Sequence, residues 1–118
     1  MPKVMVVDDA AFVRRRCKNM LVENGFDVVE AADGLEAISV YMESLPDMVL
    51  MDISMPGLGG LAALREIMKI DPSAKVAMVT AMGQQALVME AFKTGAVDFV
   101  IKPFDQDQVL DTINRALS

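Results

Sequence analysis

Five short apolar runs, separated by segments with helical spacing, limit the possible folds of this chain more than any other feature. The runs are rich in β-branched residues and do not alternate with polar ones, which is typical of parallel strands covered on both faces. They are VMVV at 4–7, VV at 28–29, MVLM at 48–51, VAMV at 76–79 and FVI at 99–101. Strands that alternate with helices in this way predict an α/β fold, with an open parallel sheet and helices on both sides.

The segments between the runs place apolar residues at helical spacing, so each predicted helix has a stripe that we expect to face the core. The stripes are Val13, Cys17, Met20 and Leu21; Leu35, Ile38 and Met42; Leu61, Leu64 and Met68; and Val109, Ile113 and Leu117. The segment 84–94 is less clearly amphipathic. We expect the first helix to end at Asn24-Gly25 and the third to stop before Asp71-Pro72.

Length and charge narrow the class of protein. A chain of 118 residues suits one domain, which we expect to span 1–118. The net charge of −6 argues against nucleic acid or an anionic membrane as the main partner. With no histidine and one cysteine, the chain lacks the residues for a disulfide, a Cys/His zinc site or a His-based triad. No apolar stretch reaches the roughly 20 residues of a membrane helix and no signal peptide is evident, so we expect a cytoplasmic monomer.

Polar side chains follow four of the five apolar runs. Asp8 and Asp9 come after the first run, Asp52 after the third, Thr80 after the fourth and Lys102 after the fifth. In doubly wound sheets, ligands bind outside the carboxyl ends of the strands, where the strand order reverses. If the strand order is 2-1-3-4-5, these five side chains converge on one cleft.

The chemistry of such a cleft follows from its residue types. Two adjacent carboxylates repel each other, and a cluster of hard oxygen ligands suits Mg²⁺, which would relieve the repulsion. One carboxylate can then attack phosphorus and form an aspartyl phosphate, while a lysine neutralises the transferred phosphoryl oxygens. Taken singly, each residue has an ordinary explanation as a turn, a helix cap or a solvated charge. Their joint occurrence at strand ends favours a phosphoryl-transfer site.

Four stretches of the chain resemble the receiver domain of two-component response regulators. They are VVDDAAFVRR, PDMVLMDISMPGLGG, VAMVTAMG and GAVDFVIKPF, in this order and spacing. The resemblance extends over the whole chain and implies a doubly wound, five-stranded, flavodoxin-like (βα)5 fold with strand order 2-1-3-4-5. It also implies a phospho-acceptor signalling protein, which promotes its own phosphorylation and dephosphorylation, rather than an enzyme.

The resemblance assigns a role to each residue of the cleft. It implies that a histidine kinase phosphorylates Asp52, and that Mg²⁺ is held by Asp9 and Asp52, by Asp8 largely through water, and by the backbone carbonyl of Ser54.

Three further residues match the positions that bind or respond to the phosphoryl group in the family. Thr80 and Lys102 match the residues that bind the phosphoryl group, and Thr80 and Phe99 match the switch pair. A cis peptide bond before Pro103 is also implied.

The stretch TAMGQQALVMEAFKTGAVDF most resembles chemotaxis regulators of the CheY kind, which diffuse from the kinase to the flagellar motor switch. Its output partner would bind a face formed by the fourth helix, fifth strand and fifth helix, and a phosphatase is a further expected partner. The chain ends at Ser118, which favours a stand-alone protein. A phosphorelay intermediate and the receiver of a DNA-binding regulator are the alternatives. Phe99 lacks the hydroxyl that many relatives have, and neither Ser54 nor Met82 offers an amide or acid to orient a hydrolytic water.

A phosphatase of the haloacid dehalogenase type is the alternative from a different functional class, the enzymes. Such phosphatases also combine an aspartyl nucleophile with Thr, Lys and Mg²⁺, but they carry a second Asp two residues after the nucleophile. Ser54 occupies that position here, and the paired acids precede Asp52 in the sequence. These departures argue against a phosphatase.

The remaining features have structural interpretations. GLGGLA at 57–62 matches a dinucleotide pattern, but it does not follow a strand directly, so we expect a loop entering a helix. Cys17 is interpreted as an inert core thiol and the eleven methionines as core filler. The basic residues Arg14–Arg16 and Lys18 are expected on the solvated side of the first helix, with docking of an acidic phosphodonor as the alternative.

Overall fold

Five strands and five helices alternate along the chain in a computed structural model that describes all residues, 1–118. They are β1 (Lys3–Val7), α1 (Ala11–Glu23), β2 (Asp27–Ala31), α2 (Gly34–Ser44), β3 (Met48–Asp52), α3 (Gly60–Ile70), β4 (Val76–Thr80), α4 (Gln85–Thr94), β5 (Asp98–Ile101) and α5 (Gln106–Leu117). All strand pairs are parallel, and the sheet order is β2-β1-β3-β4-β5. The predicted fold class and strand order are confirmed.

The sheet divides the interior into two cores, because successive side chains of a strand point to opposite faces. Met5 and Val7 of β1 pack with the helices α2 and α3, while Val4 and Val6 face α1 and α5. The three central strands β1, β3 and β4 are almost entirely buried, which accounts for their uninterrupted apolar sequences.

The edge strands have a different pattern. β2 extends over Asp27–Ala31, well beyond the predicted pair Val28-Val29, and only its last residue is buried. β5 likewise buries only Val100. An edge strand is covered less completely and tolerates charged residues such as Glu30, so its apolar run underestimates its length.

The predicted stripe of α2 is wrong for two of its three residues. Leu35 is 69% exposed and Met42 is 54% exposed, while Ile38 only partly contacts the core. The buried face instead consists of Gly34, Ala37 and Tyr41. Small residues let the helix axis come close to its neighbours, and the larger apolar residues are left on the outside.

The interpretation of the methionines as core filler is correct for only part of the set. Met5, Met48, Met51 and Met78 are fully buried in the sheet. Four others are exposed: Met1, Met42, Met82 and Met89. Met82, at 84% exposure, lies in the loop between β4 and α4, where no second layer covers it.

The helix ends agree with the sequence signals. Asn24 is the C-cap of α1 and is followed by Gly25 at a φ of 90°, and Asp71 is the C-cap of α3. The longest helix, α1, has 13 residues, and none of the five has the length and apolar character needed to cross a membrane.

Candidate functional site

The parallel register brings the predicted acidic residues to one edge of the sheet. Val7 is level with Met51, and Asp52 is level with Val79, so β1, β3 and β4 end side by side. The carboxylates of Asp8, Asp9 and Asp52 lie within 4.8 Å of one another. Asp8 and Asp52 are buried, whereas Asp9 is exposed at the mouth of the cleft.

Lys102 enters this cluster from the end of β5. Its Nζ donates to Asp8 Oδ2 at 2.9 Å and to Asp52 Oδ2 at 3.2 Å. The peptide bond between Lys102 and Pro103 is cis, as the resemblance implied. One ammonium faces three carboxylates, so the cluster keeps an excess of negative charge that a divalent cation would balance.

The surroundings of Asp52 shift its protonation equilibrium in opposing directions. Burial raises its pKa, while the Ser54 backbone N–H, which donates to Oδ1 at 3.1 Å, and the charge of Lys102 act to lower it. Burial prevails, so the pKa of Asp52 lies above its ordinary value. A buried carboxylate of raised basicity is suited to act as a nucleophile.

The pKa of Lys102 is also raised. Burial acts to lower it, but the hydrogen bonds and ion pairs with Asp8 and Asp52 outweigh that effect. The lysine therefore remains an ammonium and supplies a fixed positive charge beside the Asp52 carboxylate.

The loop between β1 and α1 is held by Arg14, which the sequence analysis placed on the solvated side of the helix. That placement is wrong, because the Arg14 guanidinium donates to the Asp8 backbone oxygen at 2.7 Å and to Glu30 Oε1 at 3.1 Å. Lys18 also pairs with Glu30, at 3.5 Å, whereas Arg15 and Arg16 are exposed. Arg14 thus ties the acidic loop to the edge strand β2.

The loop between β3 and α3 is positioned by close backbone packing. A Cβ atom on Gly60 would lie 2.1 Å from the Asp52 carbonyl oxygen, and one on Gly34 would lie 2.2 Å from that of Leu58. The GLGGLA stretch is a loop that leads into α3, as predicted, and Gly60 lets that helix begin against the residue at the centre of the cleft.

Thr80 is buried at the end of β4, but its hydroxyl does not contact Asp52. It donates to Gln84 Oε1 at 2.7 Å, and the Gln84 side-chain amide donates to Ser54 Oγ. Gln84 was not among the predicted site residues. Its neighbour Gln85 is of the same type, so no pattern in the sequence singles out Gln84.

Phe99 lies apart from the acidic cluster, on the outer part of the sheet. Its ring is partly exposed and meets Phe92 edge to face, with ring centroids 6.0 Å apart. Together with Thr80 and residues of α4, it lines an apolar groove of about 300 Å³. Thr80 therefore borders both the acidic cleft and this groove.

Cys17 is buried in the core beneath α1, and burial raises its pKa to about 11. A thiol with so high a pKa is almost entirely protonated at neutral pH and is a poor nucleophile. The interpretation of Cys17 as an inert core residue agrees with this environment.

The donor set of the cleft fits a hard divalent cation. Carboxylate oxygens of three residues converge on one point, and all are ligands that Mg²⁺ prefers to nitrogen or sulfur. The side chains of the cleft include no imidazole or thiolate that would favour a softer metal.

Comparisons with known proteins agree with this geometry. The model of the response regulator receiver domain matches residues 4–114. The chemotaxis protein CheY of Bacillus subtilis is 50% identical over 117 residues, covering 98% of both chains. A receiver domain protein from Clostridium thermocellum has a TM-score of 0.95 at 31% identity, covering 99% of this chain and 94% of that one.

One further solved structure is a complex. It contains CheX and CheY of Borrelia burgdorferi with BeF3 and Mg, and its matching chain has a TM-score of 0.93 at 33% identity, covering 99% of this chain and 90% of that one. Receiver domains bind Mg²⁺ at an acidic pocket, and this chain has an acidic group made of Asp8, Asp9 and Asp52. The chain belongs to the response regulator receiver domain family, and it is CheY-like.

Proposed function

We propose that this chain carries a signal by accepting a phosphoryl group on Asp52 from the phosphohistidine of a histidine kinase. The observation that carries the proposal is a buried carboxylate at the end of β3, with Lys102 Nζ 3.2 Å away and two further carboxylates beside it. Asp8 and Asp52 each accept a backbone N–H from the loop that follows them, from Ala10 at 2.9 Å and from Ser54 at 3.1 Å. The choice of Asp52 as the acceptor therefore rests on its place in the stretch PDMVLMDISMPGLGG, which resembles the phosphorylation site of the family.

The reaction requires one bond to form and one to break. A carboxylate oxygen of Asp52 attacks phosphorus, the bond from phosphorus to the donor nitrogen breaks, and the imidazole keeps the electron pair. Lys102 stays charged throughout and neutralises the phosphoryl oxygens. Asp8, Asp9, Asp52 and the Ser54 carbonyl would hold Mg²⁺, which supplies further neutralisation of the same oxygens when bound.

The response to phosphorylation is expected on the side of Thr80 that borders the apolar groove, away from the acidic cleft. The phosphoryl group brings additional negative charge and three acceptor oxygens into the cleft. We expect the Thr80 hydroxyl to turn toward one of these oxygens, which leaves space for the Phe99 ring to move. The face formed by α4, β5 and α5 is the proposed partner site, because the apolar groove beside Phe99 belongs to it.

The identity of the relatives supports a role in chemotaxis. The Bacillus protein, which is 50% identical to this chain over nearly the full length, is a chemotaxis protein. We infer the same pathway for this chain. The expected partners are a histidine kinase, a flagellar motor switch protein and a phosphatase; the Borrelia complex with CheX supports protein partners in general.

Phosphorylation is tested with acetyl phosphate as donor, in the presence and absence of Mg²⁺. Intact mass spectrometry should show one added phosphoryl group that depends on Mg²⁺, and Asp52→Asn should remove it. Asp111→Asn, an exposed position on α5, is the matched control and should be labelled like the wild type. Undiminished labelling of Asp52→Asn would refute the assignment of the acceptor.

The output route is tested by amide NMR with beryllofluoride, which imitates the phosphoryl group. Shift changes should extend from the cleft into residues 84–117. Thr80→Ala should still be phosphorylated on Asp52, but its partner binding should respond only weakly. Shift changes confined to the cleft would contradict this route.

A further inference from the structure

Gln84 joins the two loops that flank the cleft. It precedes α4 and is half-buried, and its carboxamide makes three hydrogen bonds. Oε1 accepts from the Thr80 hydroxyl at 2.7 Å and from the Ala81 backbone N–H at 2.8 Å, while Nε2 donates to Ser54 Oγ. No other side chain connects the loop after β3 with the loop after β4 in this way.

The orientation of this carboxamide follows from its partners. The Ala81 backbone N–H can only donate, so the atom that faces it must be the oxygen. The nitrogen then points to Ser54 Oγ, which can accept. The same oxygen is therefore available to Thr80, whose Oγ1 lies 2.7 Å from Gln84 Oε1 and 3.2 Å from the Ala81 backbone oxygen. The closer Gln84 oxygen is the main acceptor of the single hydroxyl proton.

We propose that Gln84 is a positioning residue that keeps the Thr80 hydroxyl turned away from Asp52 in the resting protein. This inference deepens the proposed function and rests on it, because it assumes that Thr80 responds to the phosphoryl group. A hydroxyl has one proton to donate, so Thr80 cannot serve a phosphoryl oxygen and Gln84 Oε1 at once. Gln84 thereby sets how often unphosphorylated molecules visit the active arrangement.

The strength of this effect follows from the bond that must be given up. Losing one neutral hydrogen bond changes an equilibrium by about twofold to tenfold. Removing the acceptor should therefore raise the ratio of active to resting molecules by about that factor, because water and the Ala81 backbone oxygen at 3.2 Å replace Gln84 only partly. The hydrogen bond from the Ala81 backbone N–H to Gln84 Oε1 does not involve Thr80. It should keep the loop after β4 in place when the Thr80 hydroxyl turns.

The test uses amide NMR of the unphosphorylated protein, with the same Mg²⁺ concentration in every sample. Gln84→Met keeps the length of the side chain but removes its oxygen, and Gln85→Met is the matched control at an exposed neighbour. Gln84→Met should displace the resonances of residues 84–101 along the line from the free to the beryllofluoride-bound wild type. The apparent Kd for beryllofluoride should fall by about twofold to tenfold. Gln85→Met should match the wild type.

Two further variants separate positioning from a general loosening of the loop. Gln84→Glu keeps the acceptor oxygen and should restore the resting resonances. In a Thr80→Val background, Gln84→Met should produce no displacement toward the bound state, because the bond on which it acts is already absent.

The outcomes are distinguishable from those of the proposed function. Suppose that acetyl phosphate labels the wild type, but the resonances of Gln84→Met coincide with those of the free wild type. The positioning role is then refuted and the proposed function stands. An equal displacement in the Thr80→Val background also refutes it. If the wild type is not labelled at all, both inferences fail.

Discussion

At the scale of single residues, Tyr41 shows how the core of α2 accommodates a polar group. Its phenol is buried and donates to Asp71 Oδ2 at 2.7 Å, which also links α2 to the end of α3. Burial and this hydrogen bond raise the pKa of Tyr41 above its ordinary 10.0. Hydrogen bonds from Ser73 and from Tyr41 lower the pKa of Asp71.

Tyr41→Phe should therefore change the pH dependence of stability at both ends. The unfolded chain ionises Tyr41 from about pH 10.0 and the folded chain only at higher pH, so the stability advantage of the wild type should shrink as the pH rises above that value. The depressed pKa of Asp71 adds stability above its ordinary 3.8, which is lost as the pH falls.

Urea unfolding of both proteins between acidic and strongly alkaline pH measures this difference, and carboxyl NMR reports the pKa of Asp71. That pKa should rise in Tyr41→Phe but stay below 3.8, because the Ser73 bonds remain. Parallel stability curves above pH 10.0 would contradict the assignment.

The residues that sequence reasoning found and missed differ in a physical respect. Asp8, Asp52 and Lys102 lie directly at strand ends, where topology alone fixes their position. Arg14 and Gln84 act through side chains that cross from one loop to another. Such contacts depend on three-dimensional loop geometry, which hydrophobic periodicity does not encode.

At the scale of elements, the start of α3 depends on contact between backbones. Gly60 has no side chain, and the space a Cβ would need is taken by the Asp52 carbonyl and by Ile53 Cα at 2.9 Å. A backbone neighbour cannot move aside as a flexible side chain can. The first turn of α3 and the end of β3 therefore hold each other in place.

Gly60→Ala should cost about 1–3 kcal/mol of stability and should also displace Asp52, which would slow phosphorylation. Gly59→Ala is the matched control, because its Cβ would meet its nearest neighbour, the Met55 oxygen, at 3.8 Å, an ordinary contact. Chemical denaturation and acetyl phosphate labelling measure the two effects. Equal stabilities of the two variants would show that the close approach is not rigid.

The helix α4 is anchored less firmly than the others. Ala91 is its single buried residue, whereas α3 buries Gly60, Ala63, Leu64 and Ile67. Apolar burial is the main source of local stability, so a helix with one buried residue should open more easily.

Native-state hydrogen exchange should therefore show faster exchange for the amides of α4 than for those of α3. Ala91→Gly should accelerate the exchange of the α4 amides further. Ala86→Gly, at an exposed position of the same helix, controls for the effect of glycine on helix propensity. Exchange of α4 only through global unfolding would contradict this expectation.

The wrongly predicted buried face of α2 is also explained by how elements pack. Helical spacing predicted Leu35 and Met42 inside, yet Gly34 and Ala37 are buried instead. Two overlapping stripes were available, and hydrophobicity favoured the larger residues. The backbone of Leu58 comes so close to Gly34 that only the small-residue face of α2 can turn inward. Hydrophobic periodicity carries no information on this contact.

At the scale of the whole molecule, the acidic cluster links global stability to a cation. Three carboxylates share one lysine, so they repel each other in the metal-free protein. A ligand that binds the native state alone stabilises it, by about 1.4 kcal/mol at ten times its Kd. Mg²⁺ should therefore raise the free energy of unfolding.

Asp9→Asn should abolish most of that increment and should slightly stabilise the metal-free protein, because it removes one of the repelling charges. Asp107→Asn changes the net charge equally at an exposed position of α5 and should keep the increment. Urea titrations with and without millimolar Mg²⁺ make the comparison. A full increment in Asp9→Asn would show that Asp9 is not a ligand.

The overall topology was the most predictable property of the chain. Three buried strands of uninterrupted apolar sequence, separated by segments long enough for a crossover helix, are compatible with few arrangements. The strand order came from the family resemblance, since periodicity does not determine which strands are neighbours.

The shallow anchoring of α4 also has an evolutionary consequence. Substitutions at its many exposed positions cost little folding energy, because exposed positions away from special contacts usually change stability by less than about 0.5 kcal/mol. The helix can therefore diversify in sequence while the sheet and its acidic residues stay under strict constraint. Duplicated copies of such a gene could diverge in what they bind without losing the chemistry they share.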